Sequence, residues 1–139
     1  MLYGHSAVTA SALPEDEERR VLLARRAIEP YLGLWDAVGG FVDEGEHPLD
    51  GLHREVREET GLPFEPRELL GIWMGRYGSD DRATLNFFWT GRLAGDHPRA
   101  ADDVAELRWF GRDELPPPEE LAFEGLVADV LAAWRSQHA

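Results

Sequence analysis

GFVDEGEHPLDGLHREVREETGL, residues 40–62, is the stretch whose reading decides the fold. Gly40 is followed after five residues by Glu46, and after seven more by Arg54-Glu55-Val56-Arg57-Glu58-Glu59-Thr60-Gly61-Leu62. That is G-x5-E-x7-R-E-U-x-E-E-x-G-U, with U aliphatic and every fixed position filled. At average residue usage such a match arises by chance on the order of once in 10⁹ registers, so the pattern is meaningful.

Residues 48–60 contain one glycine, Gly51, and no proline after Pro48, which stands where a first helical turn tolerates it. At about 100° per residue, with Glu55 at zero, Glu58 lies at about −60° and Glu59 at about +40°. Leu52, Val56 and Leu49 fall at about 60°, 100° and 120°, forming an apolar stripe to bury beside the three carboxylates. His53 and Arg57 take the opposite, solvated side. Carboxylates three and four apart on a helix repel by roughly 0.2–0.5 kcal/mol per pair. Lining them up beside a buried stripe makes little sense for stability alone. A hard divalent cation removes the conflict, because magnesium prefers oxygen ligands and keeps waters for substrate phosphates.

The spacing resembles the signature of the Nudix hydrolases, and the segment looks like a complete copy of it. The resemblance implies an α/β fold, an α/β/α sandwich with a mixed β-sheet between helices, with residues 1–139 as one domain. It also implies hydrolysis of a diphosphate linkage in a nucleoside diphosphate joined to another moiety. Magnesium is the implied cofactor, with manganese as the other candidate. Glu55, Glu58, Glu59 and the carbonyl of Gly39 would hold it. Arg54 would pair with Glu46 and prop the preceding loop against the helix. Glu55 is implied as base or ligand. Glu106, in ADDVAELRWF, occupies the place where many relatives carry a further glutamate near the metals, with Asp102 and Asp103 as alternatives in the same loop. One departure is Val38 ahead of Gly39-Gly40, where the family often has proline.

Composition sets outer limits. A chain of 139 residues with 43% hydrophobic content and five tryptophans suits one globular domain. Zero cysteines exclude disulfides and thiolate catalysis. No apolar run is long enough to span a membrane, and the start lacks the basic region of a secretory signal, so the cytoplasm is expected. A net charge of −13 argues against a nucleic-acid duplex or an anionic membrane as partner. It does not argue against a small phosphorylated substrate, because a bound cation and a few arginines set the local field.

Elsewhere, His5–Leu13 and Arg20–Ala27 are β-prone runs around the acidic turn PEDEE and read as a hairpin. Ile28–Leu34 reads as a loop, and Trp35–Val38 and Phe41–Asp43 as short strands around Gly39-Gly40. Leu69–Tyr77 and Thr84–Leu93 read as a strand pair joined by GSDDR, and Glu106–Phe110 as a further strand. After Pro116-Pro117-Pro118, a helix is expected over about residues 119–137, with Phe123, Leu126, Val127, Val130, Leu131 and Trp134 on one face.

Substrate recognition is less legible. Arg25 and Arg26, at a strand end, could reach phosphates or be a solvated pair. Trp35, Tyr77, Phe87 and Trp89 could stack a base or belong to the core. Tyr77 stands where ADP-ribose pyrophosphatases often have proline. Cleavage of modified triphosphates and cleavage of ADP-ribose or dinucleotides both remain open. The alternative reading is a non-catalytic Nudix-like nucleotide sensor, although such proteins usually lose the glutamates kept here. An isopentenyl diphosphate isomerase-like activity would need a cysteine. Homodimers are common in the family.

Overall fold

The computed structural model describes residues 6–77 and 82–137. In chain order the elements are β1 (Ala7–Pro14), β2 (Val21–Arg26), β3 (Trp35–Asp36), β4 (Val38–Phe41), α1 (Pro48–Thr60), β5 (Phe64–Tyr77), β6 (Arg82–Leu93), β7 (Val104–Phe110) and α2 (Leu126–Gln137), with a 3-10 turn at Pro118–Glu120. Four strands form a mixed sheet in the order β4-β1-β6-β5, in which β1 and β6 are parallel and the other neighbours antiparallel. The remaining three form an antiparallel sheet, β3-β2-β7.

Alternation along the strands creates the layers. In β1, Ala10 and Ala12 join one buried cluster and Leu13 the other; in β2, Leu22 and Ala24 part from Val21 and Leu23 in the same way. The first cluster receives Leu52 and Val56 of α1, and the second receives Val127, Val130, Leu131 and Trp134 of α2. The helices therefore cover opposite faces, an α/β/α arrangement. Among the described residues, no helix is long and apolar enough to cross a membrane.

Helix α1 begins and ends for local reasons. The His47 side chain accepts a hydrogen bond from the Leu49 N–H (3.0 Å), and Pro48 fills the first helical position. Gly61 closes the helix at φ 78°, its N–H donating to the Arg57 carbonyl.

Four expectations need correction. The runs around PEDEE do not form a hairpin ladder: β1 spends both edges on β4 and β6, so β2 pairs in the other sheet, and the two runs meet at the bridge Glu15–Val21 and the Asp16 N–H to Arg20 carbonyl bond. Asp16 still closes the turn, accepting from the Glu18 and Arg20 N–H groups. Gly39-Gly40 lie inside β4 opposite Ser11 and Ala10, rather than between two strands. Strand β5 starts at Phe64, five residues before Leu69, and accommodates Pro66 through register shifts. Most of its expected turn, Gly78 to Asp81, lies outside the described residues. Finally, α2 starts only at Leu126, because Leu121 bridges Trp35 beside β3 and the Ala122 N–H donates to the Trp35 carbonyl (2.9 Å).

The two layers predict a contrast. Leu52→Ala, at a fully buried position under α1, should cost about 2–5 kcal/mol, whereas Leu69→Ala, at 46% exposure, should stay within about 0.5 kcal/mol. Urea unfolding of both variants measures this, and equal losses would contradict the packing described.

Candidate active site

A cleft of about 230 Å³ opens where α1, β4 and the ends of β2 and β5 meet. Helix α1 presents Glu55 and Glu59 to it, and Asp36 and Asp103 line it as well. Glu59 is 7% exposed although it is an acid on an amphipathic helix. Its Oε1 accepts the N–H of Gly39 (3.0 Å). The Glu55 carboxylate packs over Gly40 so tightly that a β-carbon there would come within 2.7 Å of it. The glycine pair thus lets β4 pass under the carboxylates.

Arg54 organises the other side of the helix start. Its Nε and Nη2 donate to Glu46 Oε2 and Oε1, both at 3.0 Å, and Nη1 donates to Glu55 Oε1 at 3.0 Å. Nη2 also donates to the Phe41 carbonyl (3.1 Å), while Asp43 and Glu58 lie within 3.6 Å. The expected Arg54–Glu46 pair is therefore present and bidentate. The Asp43 N–H also donates to Glu46 Oε1 (2.9 Å), so the loop folds over its own glutamate.

These surroundings move the titrations in opposite directions. The Arg54 hydrogen bonds, then the Asp43 N–H, hold Glu46 down at about 2. The same pairing with Glu46, above all, pushes the Arg54 guanidinium up. Burial pushes Glu55 up against the pull of Arg54. Burial raises Glu59 to about 9, with Asp36, Glu55 and Asp103 adding to the effect and the Gly39 N–H opposing it. Burial also lifts Asp36 to about 6, opposed by Arg26 and the Ala37 N–H.

The remaining sequence candidates divide between the cleft and other faces. Tyr77 lines the cleft; Glu58, with its side chain 44% exposed, does not. Arg25, Trp35 and Glu106 gather on another face of the small sheet. Arg25 pairs with Glu106 at 3.3 Å, Glu106 pairs with Arg108 at 2.7 Å, and both arginines lie over the Trp35 ring. A bulge explains the displacement of Glu106. Arg25 pairs with Glu106, but Arg26 pairs with Val104, so Ala105 is an extra residue. Val104 consequently shares the cleft with Arg26, while Glu106 stays with Arg25. Asp103, the alternative in that segment, lines the cleft. Phe87 stacks on Trp89 at 5.8 Å outside it.

Of the pair Arg25 and Arg26 the structure brings Arg26 to the cleft, together with Asp36, which the sequence reading passed over, and Phe123, which it gave to a helix face. Arg26 reaches the Asp36 carboxylate at 3.2 Å and the Pro30 carbonyl at 2.6 Å. Leu22 and Ala24 join the α1 cluster and Arg26 continues their face, a choice of face that the docking of α1 decides. Phe123 was assigned to a helix face that α2 does not include.

Among the described residues, no three acidic or imidazole side chains converge closely enough to hold a metal ion as they stand. Arg54 holds Glu46 and Glu55 with hydrogen bonds, and Glu58 also lies near it. The donor chemistry nevertheless suits a hard divalent cation: every charged acceptor on the cleft wall is a carboxylate oxygen, and burial pushes three of them, Asp36, Glu55 and Glu59, up against ionisation.

Similarity to known proteins agrees with this geometry. The NUDIX domain family matches residues 5–130. An ADP-ribose pyrophosphatase from Methanocaldococcus jannaschii is 33% identical over 97% of this chain and 78% of its own length. An RNA pyrophosphohydrolase from Cereibacter sphaeroides is 29% identical over 78% of this chain and 80% of its own. The crystal structure of a MutT NUDIX hydrolase from Burkholderia pseudomallei superposes with a TM-score of 0.80 at 26% identity, covering 93% of this chain and 98% of that one. The chain belongs to the Nudix hydrolase family. Its activity is pyrophosphate hydrolysis in nucleotide-linked substrates, and enzymes of the family generally use divalent metals.

The raised carboxyl of Glu59 has a measurable consequence. Its folded pKa of about 9 lies above its ordinary 4.5, so the folded state binds this proton more tightly than the unfolded chain. Its stabilising effect is complete below pH 4.5 and is lost as pH rises towards 9; Asp36 acts in the same direction between 3.8 and about 6. Glu46 has the opposite sign, its contribution being lost only as pH falls from 4.5 through about 2. Metal-free protein should therefore melt at progressively lower temperature from pH 6 to pH 9, and Glu59→Gln should flatten that slope. A wild-type slope retained in the glutamine variant would refute the assignment.

Proposed function

We propose that the cleft binds magnesium and hydrolyses a nucleoside diphosphate joined to another moiety. The observation that carries this reading is the half-buried Glu55 and the buried Glu59 on one helix face, lining the same cleft as Asp36 and Asp103. Glu59 would be the main ligand, joined by the Gly39 carbonyl and by Glu58 if its side chain swings in from its exposed place near Arg54. A cation held there supplies charge neutralisation for phosphate oxygens and acidifies bound water.

The chain's own groups take the remaining tasks. Arg54 holds Oε1 of Glu55 and leaves Oε2 to accept the proton of the attacking water. As the water oxygen bonds to phosphorus, the bridging P–O bond breaks and the leaving phosphate departs with its electron pair. Burial raises the basicity of Glu55, which suits that role. Asp103 takes the position that the resemblance gave to Glu106. Arg26 and Arg76, on the lining, offer guanidinium groups to phosphate oxygens. The similarity to an ADP-ribose pyrophosphatase and to an RNA pyrophosphohydrolase supports the shared nucleoside diphosphate element and leaves the second moiety open.

The test is product release with magnesium from nucleoside triphosphates, oxidised purine triphosphates, ADP-ribose, NADH, sugar nucleotides and diadenosine polyphosphates. Glu59→Gln should lower turnover by more than about 100-fold and Glu55→Gln by about 10²–10⁴-fold. Arg54→Ala should lower it by about 10–100-fold, whereas Glu106→Gln should stay near wild type. No turnover of any member, with tight binding of one, would favour the sensor reading instead.

A further inference from the structure

The face of the larger sheet on which α1 rests extends beyond the helix. Residues paired across neighbouring strands share a face. The row Ala10–Phe87–Ile72 crosses β1, β6 and β5, and the row Leu85–Met74 lies beside it. Ala10 sits in the buried cluster under α1, so both rows belong to the α1 side of the sheet. At the β5 end the cover runs out: Ile72 is 48% exposed and Met74 63%. Among the described residues, Ile72, Met74, Leu85 and Phe87 neither belong to a buried cluster nor pack against one. Leu69, beside Trp89 at a register shift, marks the rim.

Charge is distributed unevenly along the chain. Residues 64–93, which span β5 and β6, hold four arginines and four acids, a net of zero. The other residues hold ten arginines and 23 acids, and so carry the whole −13. Two copies that approach through those other parts meet like charge, whereas at this face apolar burial is unopposed. An anionic membrane is repelled by the same −13, and a basic protein is drawn to the acidic surface rather than to a neutral one. Edge addition suits β5 poorly, since Pro66 lacks an N–H and register shifts interrupt the strand at Arg67 and Leu70. Packing face to face about a two-fold axis avoids both obstacles. It lays the rows of one copy on those of the other and keeps the acidic surfaces apart. Met74 suits such a seam, because its unbranched chain adapts to an irregular partner.

We propose that the β5–β6 face centred on Ile72 and Met74 is the contact surface between two copies of this chain, packed face to face about a two-fold axis. None of Ile72, Met74, Leu85 and Phe87 lines the cleft, so the contact is separate from the chemistry proposed above.

Analytical ultracentrifugation over about 1–100 μM protein, without substrate or metal, tests this. Wild type should sediment at about twice 15.6 kDa at the upper end of the range. Ile72→Arg puts a charge at the centre of the contact. It should weaken association by at least about thirtyfold and leave a 15.6 kDa species. Met74→Arg is the second variant, should Ile72→Arg fail to melt cooperatively. Leu32→Arg alters a side chain that is 57% exposed elsewhere on the surface, and should leave the dimer intact. An edge-to-edge dimer would keep Ile72 and Met74 facing solvent, so a dimer that survives both β5 arginine variants overturns the proposal. A monomer at every concentration also overturns it and gives the face to a different protein. So does an assembly that keeps growing with concentration, because a two-fold contact closes. Loss of the dimer in Leu32→Arg as well would place the contact elsewhere and overturn it.

Discussion

The contacts of one guanidinium hold the site in register. Arg54 touches the end of β4 through the Phe41 carbonyl, the following loop through Asp43 and Glu46, and its own helix through Glu55 and Glu58. Strand, loop and helix are thereby held at one point. Lysine could supply the charge but not the planar fork that engages Glu46 through two nitrogens. Because most of these contacts are partly exposed, their contribution to net stability is modest. Their effect is on position, since Glu55 can lie over Gly40 only while the loop stays folded back.

The energetics of α1 then follow from a conflict. Leu52 and Val56 draw one face of the helix fully into the sheet, and Glu59, on a neighbouring face, is carried in with them. Hydrophobic burial is strong enough to impose this on a carboxyl that would otherwise stay in water, and the carboxyl responds by retaining its proton up to about pH 9. A cation in the cleft would reverse that preference. Metal binding through this side chain would therefore couple proton release to stability.

What the sequence made legible depended on whether the cause was local. The helix Pro48–Thr60 was readable because proline, apolar period and the closing glycine all sit within it. The carboxylate face followed from the same period. Parity beyond α1 was not readable. Which face of β2 looks towards the cleft depends on how α1 docks, so Arg25 and Arg26 were equivalent on paper. The bulge at Ala105 separates Val104 from Glu106, and no glycine or proline announces it. The segment before α2 looked helical because Phe123 has the right spacing, whereas tertiary pairing of residues 121–122 with Trp35 prevents the helix from starting there.

The chain's net charge of −13 and its anionic substrate class are compatible for a reason of length scale. Charges on the outer surface act over roughly 8 Å at physiological salt, so most of them are screened from a phosphate already in the cleft. What a phosphate meets there is Arg26 and Arg76 among the carboxylates Asp36, Asp43, Glu55, Glu59 and Asp103. Arg26 is partly committed to Asp36, and Arg54 to Glu46 and Glu55, which leaves the cleft acidic. On the metal-binding reading proposed above, such a wall would repel a diphosphate until a divalent cation bound, and the same carboxylates would then hold the charge that attracts it. The acidity that opposes the substrate would then make its binding conditional on metal.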